Sequence, residues 1–354
     1  MVRALTIALM LPALVGLLLA QDGPAPPVGP AVNLGADWEI TPASKKAVER
    51  GLEWLARNQK PDGSYGAQSG YGSNAGITGL AGLAFLADGS VPGRGKYCVN
   101  VEKCLDFVLA NTSDSSGLIA SEVSHGPMYG HGFATLFLAE VYGMTGRPDV
   151  REKLRLAVRL IVNTQNYQGG WRYMPIPADA DLSVTICQTM ALRAARNAGI
   201  KVPKRTIDKA IDYVRKSQNS DGGFSYTLSK SGGMGGSAFP RSAAGVASLY
   251  YSGVYTGKEI ESGLGYLLKQ KPGGGGRSAM MGGHFFYGQY YAVQAFFLAG
   301  GDYWRQWFPA IREHLVRTQN GEGAWTQDVG PEFSTAMALI ILQVPNRYLP
   351  ILER

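Results

Sequence analysis

Hydrophobic and polar positions alternate between two kinds of segment along this chain. In the first kind, such as Ala-Val-Glu-Arg-Gly-Leu-Glu-Trp-Leu-Ala from residue 47, apolar residues recur at helical spacing with charges between them, which predicts an amphipathic helix. The second kind is nearly apolar all round and rich in small residues, which predicts a buried helix. Amphipathic helices are predicted over 47–58, 101–111, 153–164, 207–217, 260–269 and 309–318, and buried helices over 77–86, 132–141, 184–192, 243–249, 287–297 and 334–342.

The amphipathic segments end in a recurring turn. Four of them end in a glutamine, then a glycine turn, then an aromatic residue six positions after the glutamine: Gln59 with Tyr65, Gln165 with Trp171, Gln218 with Phe224, and Gln319 with Trp325. Degenerate copies end at Thr112 and Gln270, so the markers at 59, 112, 165, 218, 270 and 319 are 53, 53, 53, 52 and 49 residues apart. A fixed period of this length indicates stacked helix pairs. We expect the aromatic residues to pack between units and the glutamines to tie helix ends to adjacent loops.

Six amphipathic helices that alternate with six buried helices predict two concentric rings. An open solenoid would leave two unlike ends that need capping, and closing the ring removes that need. We therefore expect an all-α fold, an α6/α6 toroid of six repeats of about 50 residues, over residues 42–354.

The Gln–Gly–aromatic turns resemble the repeats of the terpenoid cyclase and protein prenyltransferase superfamily, which includes squalene–hopene cyclase-like repeats. The resemblance covers about residues 42–343 and implies the α/α toroid. Squalene–hopene cyclases carry Asp-x-Asp-Asp at an inner-helix start, where the middle acid protonates an alkene. Asp179-Ala180-Asp181-Leu182 matches the first two acids, and Leu182 replaces the third. Such cyclases also have two toroids, whereas this sequence predicts one.

Other members of the superfamily imply other chemistries. Protein prenyltransferases hold zinc through Asp-x-Cys and a histidine, but the matching position reads Phe239-Pro240-Arg241-Ser242, with neither ligand. Catalytic zinc needs about three protein ligands, so no metal and no other cofactor is expected. The Cys-Gly-Glu-Gln thioester of complement-like toroids is absent from the sequence. Toroidal polysaccharide lyases use an arginine base, for which Arg241 is the candidate by analogy.

The first 41 residues precede the repeats. Residues 1–20 combine one basic residue with an apolar run, which is typical of a secretory signal peptide, although a retained membrane anchor is the competing interpretation. Residues 21–41 form a Pro/Gly-rich linker. We therefore expect an exported protein, periplasmic or extracellular, with no stable membrane span once the signal is removed. Cys98 and Cys104 can form a disulfide only if Cys98 precedes the helix, and Cys187 is expected to be an inert buried thiol.

The net charge adds little to the prediction of function. The formal net charge is +7, with the basic residues spread over the amphipathic helices, and no nucleic-acid motif or aromatic–basic platform is present. No nucleic-acid partner is expected.

The candidate site lies where the buried helices begin, because their amino termini ring one end of the barrel and favour anions. The candidate catalytic residues are His131, Asp181, Arg241 and His284. The candidate substrate-binding residues are His125, Tyr129, Asp179 and Tyr287.

Each candidate has a functional and a structural interpretation. A histidine would be the general acid or base, Asp181 would orient it or donate a proton, and Arg241 would bind an anionic group. Alternatively, Asp181 is a helix N-cap, His131 is a packed core residue, and the tyrosines fill the barrel. Two classes of function remain open: an exported enzyme acting on an isoprenoid, another apolar substrate or a glycan, and a non-catalytic protein that binds such a ligand.

Overall fold

The computed structural model describes residues 38–121, 126–229, 235–272, 283–327 and 329–353. Within these ranges the regular structure consists of twelve α-helices and two short 3-10 helices, with isolated bridges but no β-strand. The α-helices are α1 Pro42–Arg57, α2 Ala75–Ala87, α3 Cys98–Ala110, α4 Met128–Thr145, α5 Pro148–Asn163, α6 Leu182–Asn197, α7 Lys204–Ser217, α8 Phe239–Tyr251, α9 Lys258–Leu268, α10 Phe285–Ala299, α11 Gly301–Thr318 and α12 Pro331–Gln343. The 3-10 helices are Val344–Asn346 and Pro350–Leu352.

The even-numbered helices form a closed inner ring. Each one packs against the next, from α2 through α4, α6, α8 and α10 to α12, and α12 packs against α2. The odd-numbered helices pack outside them, and α1 also contacts α11 and α12. All residues of α2 are buried, whereas α1, α5 and α7 bury only one face. The predicted all-α toroid is therefore confirmed.

Several helix boundaries differ from the sequence prediction. The largest difference is in α11, which was expected to start at Pro309 and begins at Gly301 with Pro309 inside it. Trp304, Trp307 and Phe308 lie in these additional turns and are buried. The large apolar surface that these side chains bury favours helix despite the proline, which a helix interior usually disfavours.

The repeat glutamines join consecutive units. Gln165 Nε2 donates to the carbonyl of Gly169 in its own turn (2.9 Å) and to that of Thr206 in α7 of the next unit (2.9 Å). Gln319 Nε2 donates in the same way to Gly323 and to Ala47 in α1, so the last unit is joined to the first. The four glutamines therefore tie the helix end to its own turn, as expected, and also to the next outer helix.

The turn glycines let these units approach closely. Gly169 has a φ of +103°, and a Cβ built there would lie 2.1 Å from the carbonyl oxygen of Lys209 in the next outer helix. Glycine is therefore needed both for the left-handed conformation and for the contact. The aromatic residue that follows is fully buried in all four clear copies: Tyr65, Trp171, Phe224 and Trp325.

A second contact recurs inside each turn. The backbone N–H of Trp171 donates to the hydroxyl of Thr185, near the start of α6 (3.1 Å). Thr78, Ser242 and Thr335 accept the equivalent N–H in three other units. In the second unit His131 takes this place, because its Nδ1 accepts the N–H of Ile119 (3.1 Å).

The segment after α12 crosses the end of the ring opposite the inner-helix amino termini. Pro350–Leu352 contacts α4, α6 and α10, and Ile351 and Leu352 are buried. The N–H of Ile351 donates to the carboxyl group of Glu140 (3.3 Å), and burial raises the pKa of Glu140 to about 8. This segment forms the floor of the barrel.

Three expectations concern the cysteine pair, the leader with its linker, and a membrane span. Cys98 begins α3, so Cys98 and Cys104 share one helix, and both are free thiols. The predicted signal peptide and most of the linker lie outside the described residues. Among the residues that the structure does describe, no helix has the length and apolarity needed to cross a membrane.

Candidate functional site

A cavity of about 720 Å³ opens at the end of the barrel where the inner helices begin. Nine of its 22 lining residues are aromatic, and they come from several units: Tyr71, Tyr129, Phe133, Tyr173, Tyr226, Phe239, Phe285, Tyr287 and Phe333. Arg241, His284, Asn74 and Ser183 add polar groups. A concave, mostly apolar space with a few converging polar groups is the usual form of a small-molecule site.

Arg241 lies in the first turn of α8 and lines the cavity. It is half-buried, and its Nε has no hydrogen-bond partner among the described residues. No carboxylate forms an ion pair with it in this part of the chain. Burial lowers the pKa of the guanidinium, while the hydroxyls of Tyr266 and Tyr226 act in the opposite direction. A partly desolvated guanidinium with unused donors favours an anionic ligand.

Asp181 lies behind the cavity wall as the N-cap of α6. Its Oδ1 accepts the N–H of Val184 (2.8 Å), while its fully buried Oδ2 has no hydrogen-bond partner among the residues that the structure describes. Arg172 Nε lies 3.7 Å from Oδ2. Burial raises the pKa of Asp181 to about 6, although the Val184 N–H, Arg172 and the Tyr226 hydroxyl all act to lower it. This carboxyl group is therefore a proton donor or acceptor near neutral pH.

Tyr173 and Tyr226 form a hydroxyl pair in the cavity wall. Both line the cavity, and their hydroxyl oxygens are 2.5 Å apart. The carbonyl of Tyr226 accepts the N–H of Leu182, the residue that follows Asp181 (2.9 Å). Sequence reasoning missed this pair, although both residues stand two positions after a repeat aromatic, Trp171 and Phe224. That shared position is the signal that could have identified them.

Three of the remaining candidates line the cavity. His284 is exposed and is the N-cap residue of α10, with a φ of 70°. Tyr287 donates its hydroxyl hydrogen to the carbonyl of Ser183 (2.8 Å) and meets Tyr129 edge to face. Together with Arg241, these residues occupy the mouth that the sequence predicted for them.

Other candidates lie elsewhere. His131 is fully buried, and Nε2 bonds the carbonyl of Ala157 (3.3 Å) while Nδ1 accepts from Ile119, so both ring nitrogens are used within the core. Burial lowers the pKa of His131 to about 4. Asp179 is exposed and forms an ion pair with Arg172 (2.6 Å). His125 lies outside the described residues.

Metal ligands do not cluster in the part of the chain that the structure describes. No group of three or more His, Cys, Asp or Glu side chains there is arranged to hold an ion. Near the cavity, the described residues thus provide the Asp181 carboxyl group with its raised pKa, the Arg241 guanidinium and several aromatic side chains.

Two closed helical rings around a cavity at the inner-helix amino termini define an α/α toroid. The resemblance to the terpenoid cyclase and protein prenyltransferase superfamily is confirmed by two family models, each of which matches less than half of the chain. The family model for the prenyltransferase alpha-alpha toroid domain matches residues 2–154, and that for the squalene-hopene cyclase C-terminal domain matches residues 132–297.

Solved structures are similar over most of the chain. The apo type II terpene cyclase MstE from Scytonema is 13% identical, with a TM-score of 0.61 over 87% of this chain and 99% of that one. A protein from Actinoplanes is 14% identical, with a TM-score of 0.60 over 86% and 99%. A GH76 alpha-mannanase from Bacteroides thetaiotaomicron is 12% identical, with a TM-score of 0.60 over 86% and 96%. At these identities the likeness shows the fold alone. No curated protein sequence matches this chain.

Proposed function

We propose that the cavity binds an isoprenoid-like amphiphile, with its anionic head group at Arg241 and its apolar chain against the aromatic wall. The observation that carries this proposal is the half-buried Arg241 guanidinium, whose Nε has no partner among the described residues. An unpaired buried charge is costly, and a carboxylate or phosphate would supply the missing hydrogen bonds.

The aromatic wall fits the other part of such a ligand. Tyr129, Tyr287 and Phe133 belong to the lining, as do Phe239 and Phe333 on later helices. Aromatic side chains bury large apolar areas, and their ring faces also stabilise positive charge. The wall therefore suits an unsaturated hydrocarbon chain and a cationic intermediate formed from it.

We further propose that the protein is an enzyme and that Asp181 is its acid. The raised pKa of Asp181 allows a protonated fraction near neutral pH. Asp181 also takes the place of the middle acid in the resemblance to the cyclase motif. Leu182 stands where the third acid would be, so the chain relies on one buried carboxyl group at this position. Export, as the leader predicts, would place this activity outside the cytoplasm.

A glycan-directed enzyme is the second candidate. The observation that favours it is that a GH76 mannanase matches this fold about as well as the terpene cyclase MstE does, with TM-scores of 0.60 and 0.61. A GH76A variant from Salegentibacter sp. in complex with alpha-1,6-mannotriose also has a TM-score of 0.60, at 8% identity. A glycan would use the same mouth and would not need an unpaired guanidinium beside an aromatic wall.

Mass spectrometry of what the purified protein carries tests the proposal. We expect an organic extract of the wild-type protein to contain an anionic isoprenoid-like compound, and Arg241→Gln to lose it. Arg159→Gln is the matched control, because it removes the same charge from an exposed position on α5. Retention of the same compound by Arg241→Gln, or oligosaccharide in place of lipid, would contradict the proposal.

A further inference from the structure

We propose that binding of an anionic head group at Arg241 loads a proton onto Asp181, and that the two groups are coupled through the chain segment of Tyr226, which is hydrogen-bonded to both helix starts. This inference rests on the proposed function, because it takes Arg241 to be the anion site. The proton comes from solvent and adds to the carboxylate of Asp181, and no bond of the ligand breaks in this step.

Tyr226 lies between the two helix starts. Its chain segment is tied to α6 by the bond from the Leu182 N–H to the Tyr226 carbonyl (2.9 Å). It is tied to α8 by the bond from the Phe224 N–H to the hydroxyl of Ser242 (2.9 Å), the residue after Arg241. The Tyr226 side chain lines the cavity and bonds Tyr173. The segment of Tyr226 therefore joins the starts of α6 and α8, two adjacent inner helices of which one has Asp181 as its N-cap and the other carries Arg241 in its first turn.

Asp181 has an oxygen available for the proton. Oδ1 is used by the Val184 N–H, whereas no described residue forms a hydrogen bond with the buried Oδ2. A protonated Oδ2 could donate to a neighbouring oxygen, and a negative charge brought close to it would favour protonation. Because the site is buried, solvent screens such an interaction weakly.

The other groups around Asp181 cannot take up the proton near neutral pH. Arg172 is charged and is already paired with Asp179. Burial raises the pKa of each remaining neighbour, which keeps it protonated: Tyr129 on α4, Cys187 on α6, Tyr213 on α7, Tyr226 before α8 and Tyr287 on α10. His284 also lines the cavity, so its substitution serves as a control for Asp181.

The coupling has a chemical consequence. The acid becomes protonated when a ligand with the right head group is in place, and it remains ionised for part of the time in the empty cavity. The group that receives the proton then lies near the anionic head of the substrate rather than at the far end of its apolar chain. The substrate class is thus an isoprenoid-like amphiphile whose reactive bond is close to its acid group.

Calorimetry measures the proton directly. Titration of farnesoic acid, an isoprenoid carboxylate, in two buffers of different ionisation enthalpy gives the number of protons taken up on binding. At about pH 7 we expect uptake on the order of half a proton by the wild-type protein. Farnesol, the matched neutral alcohol, should give none.

Variants assign the proton to one residue. Asp181→Asn keeps an oxygen that caps α6, and we expect it to abolish the uptake, while His284→Gln should leave the uptake unchanged. In the wild-type protein and in His284→Gln, but not in Asp181→Asn, affinity for farnesoic acid should fall between about pH 6 and about pH 8, while affinity for farnesol stays constant.

The possible outcomes distinguish a failure of this inference from a failure of the proposed function on which it rests. No binding, or binding that Arg241→Gln leaves unchanged, overturns both. Binding that depends on Arg241 but brings no proton uptake overturns the coupling alone. Uptake that persists in Asp181→Asn and disappears in His284→Gln also overturns it, because the proton then resides on His284.

Discussion

Burial has different consequences for two ionisable residues of this protein. His131 uses both ring nitrogens within the core, and its lowered pKa keeps it neutral at physiological pH. Asp181 uses one oxygen and keeps the other unpaired beside the cavity wall. The first arrangement stabilises the fold, and the second leaves a titratable group for chemistry.

Replacing His131 should affect stability rather than ligand binding. His131→Ala leaves the buried N–H of Ile119 without an acceptor and opens a cavity, so we expect a loss of about 2–4 kcal/mol in the free energy of unfolding. Denaturant unfolding measures this loss, and calorimetry should show unchanged affinity for farnesoic acid. A stable variant that no longer binds would place His131 in the site.

The pH dependence of stability gives a second measure of what His131 contributes to the fold. The pKa of the folded state is about 4, below the usual histidine value, so the unfolded chain binds more protons between these two values. The contribution of His131 to stability is therefore present above its unfolded pKa and is lost as the pH falls toward about 4. Unfolding of His131→Ala should lack this component of acid sensitivity.

At the scale of elements, the turn between helices holds consecutive units together. Gly169 combines a positive φ with a backbone contact to Lys209, whereas Gly199, with a φ of +84°, has no atom within 4 Å of the position that a Cβ would take. Comparing alanine at these two glycines separates close approach from backbone conformation.

Gly169→Ala should lower the free energy of unfolding much more than Gly199→Ala does. Gly199→Ala introduces only the strain of the left-handed conformation, about 1–2 kcal/mol. Gly169→Ala must also push α7 away from the turn, so we expect a loss at least about 2 kcal/mol larger. Urea unfolding of the two variants measures the difference. Equal losses would mean that the turn does not set the spacing between units.

These elements also show how far the sequence can be interpreted. Charged faces and small apolar residues suffice to predict outer and inner helices, and the turn period predicts their number. An inner helix without a polar face gives no sign of which side faces the axis, so the sequence could not show that His131 faces the outer ring. Tyr173 and Tyr226 were missed because only two units carry tyrosine at that position. The start of α11 was missed because buried tryptophans compensate for Pro309.

At the scale of the whole molecule, contacts between the first and last units close the ring, and the segment after α12 covers one end of it. Arg50 Nη2 donates to the carbonyls of Asn320 and Gly321, at 2.8 and 2.7 Å, and so joins α1 to the last turn. Ile351 and Leu352 cover the inner helices at the floor. The cavity therefore opens only toward the inner-helix amino termini among the described residues.

Glu140 makes the floor sensitive to alkaline pH. Its folded pKa of about 8 lies above the value of 4.5 for a free glutamate, so the folded state binds more protons between these limits. Stability from the neutral carboxyl group is complete below the unfolded pKa and falls as the pH rises through about 8. Glu140→Gln still accepts the N–H of Ile351, and we expect its Tm to exceed that of the wild type by a few degrees above pH 8 and to match it near pH 4.5. Equal Tm values at both pH values would show that the buried carboxyl group does not destabilise the floor.

The central claim is that Arg241 holds the anionic head of an apolar ligand, and one comparison of dissociation constants tests it. Calorimetry at a single pH would measure farnesoic acid and farnesol with the wild-type protein and with Arg241→Gln. A charge-assisted bond in a partly buried site contributes about 1.5–3 kcal/mol, so the variant should bind the carboxylate about 10- to 100-fold more weakly. Its affinity for farnesol should change by less than about twofold. Equal effects on the two ligands, or no effect on the carboxylate, would contradict the account.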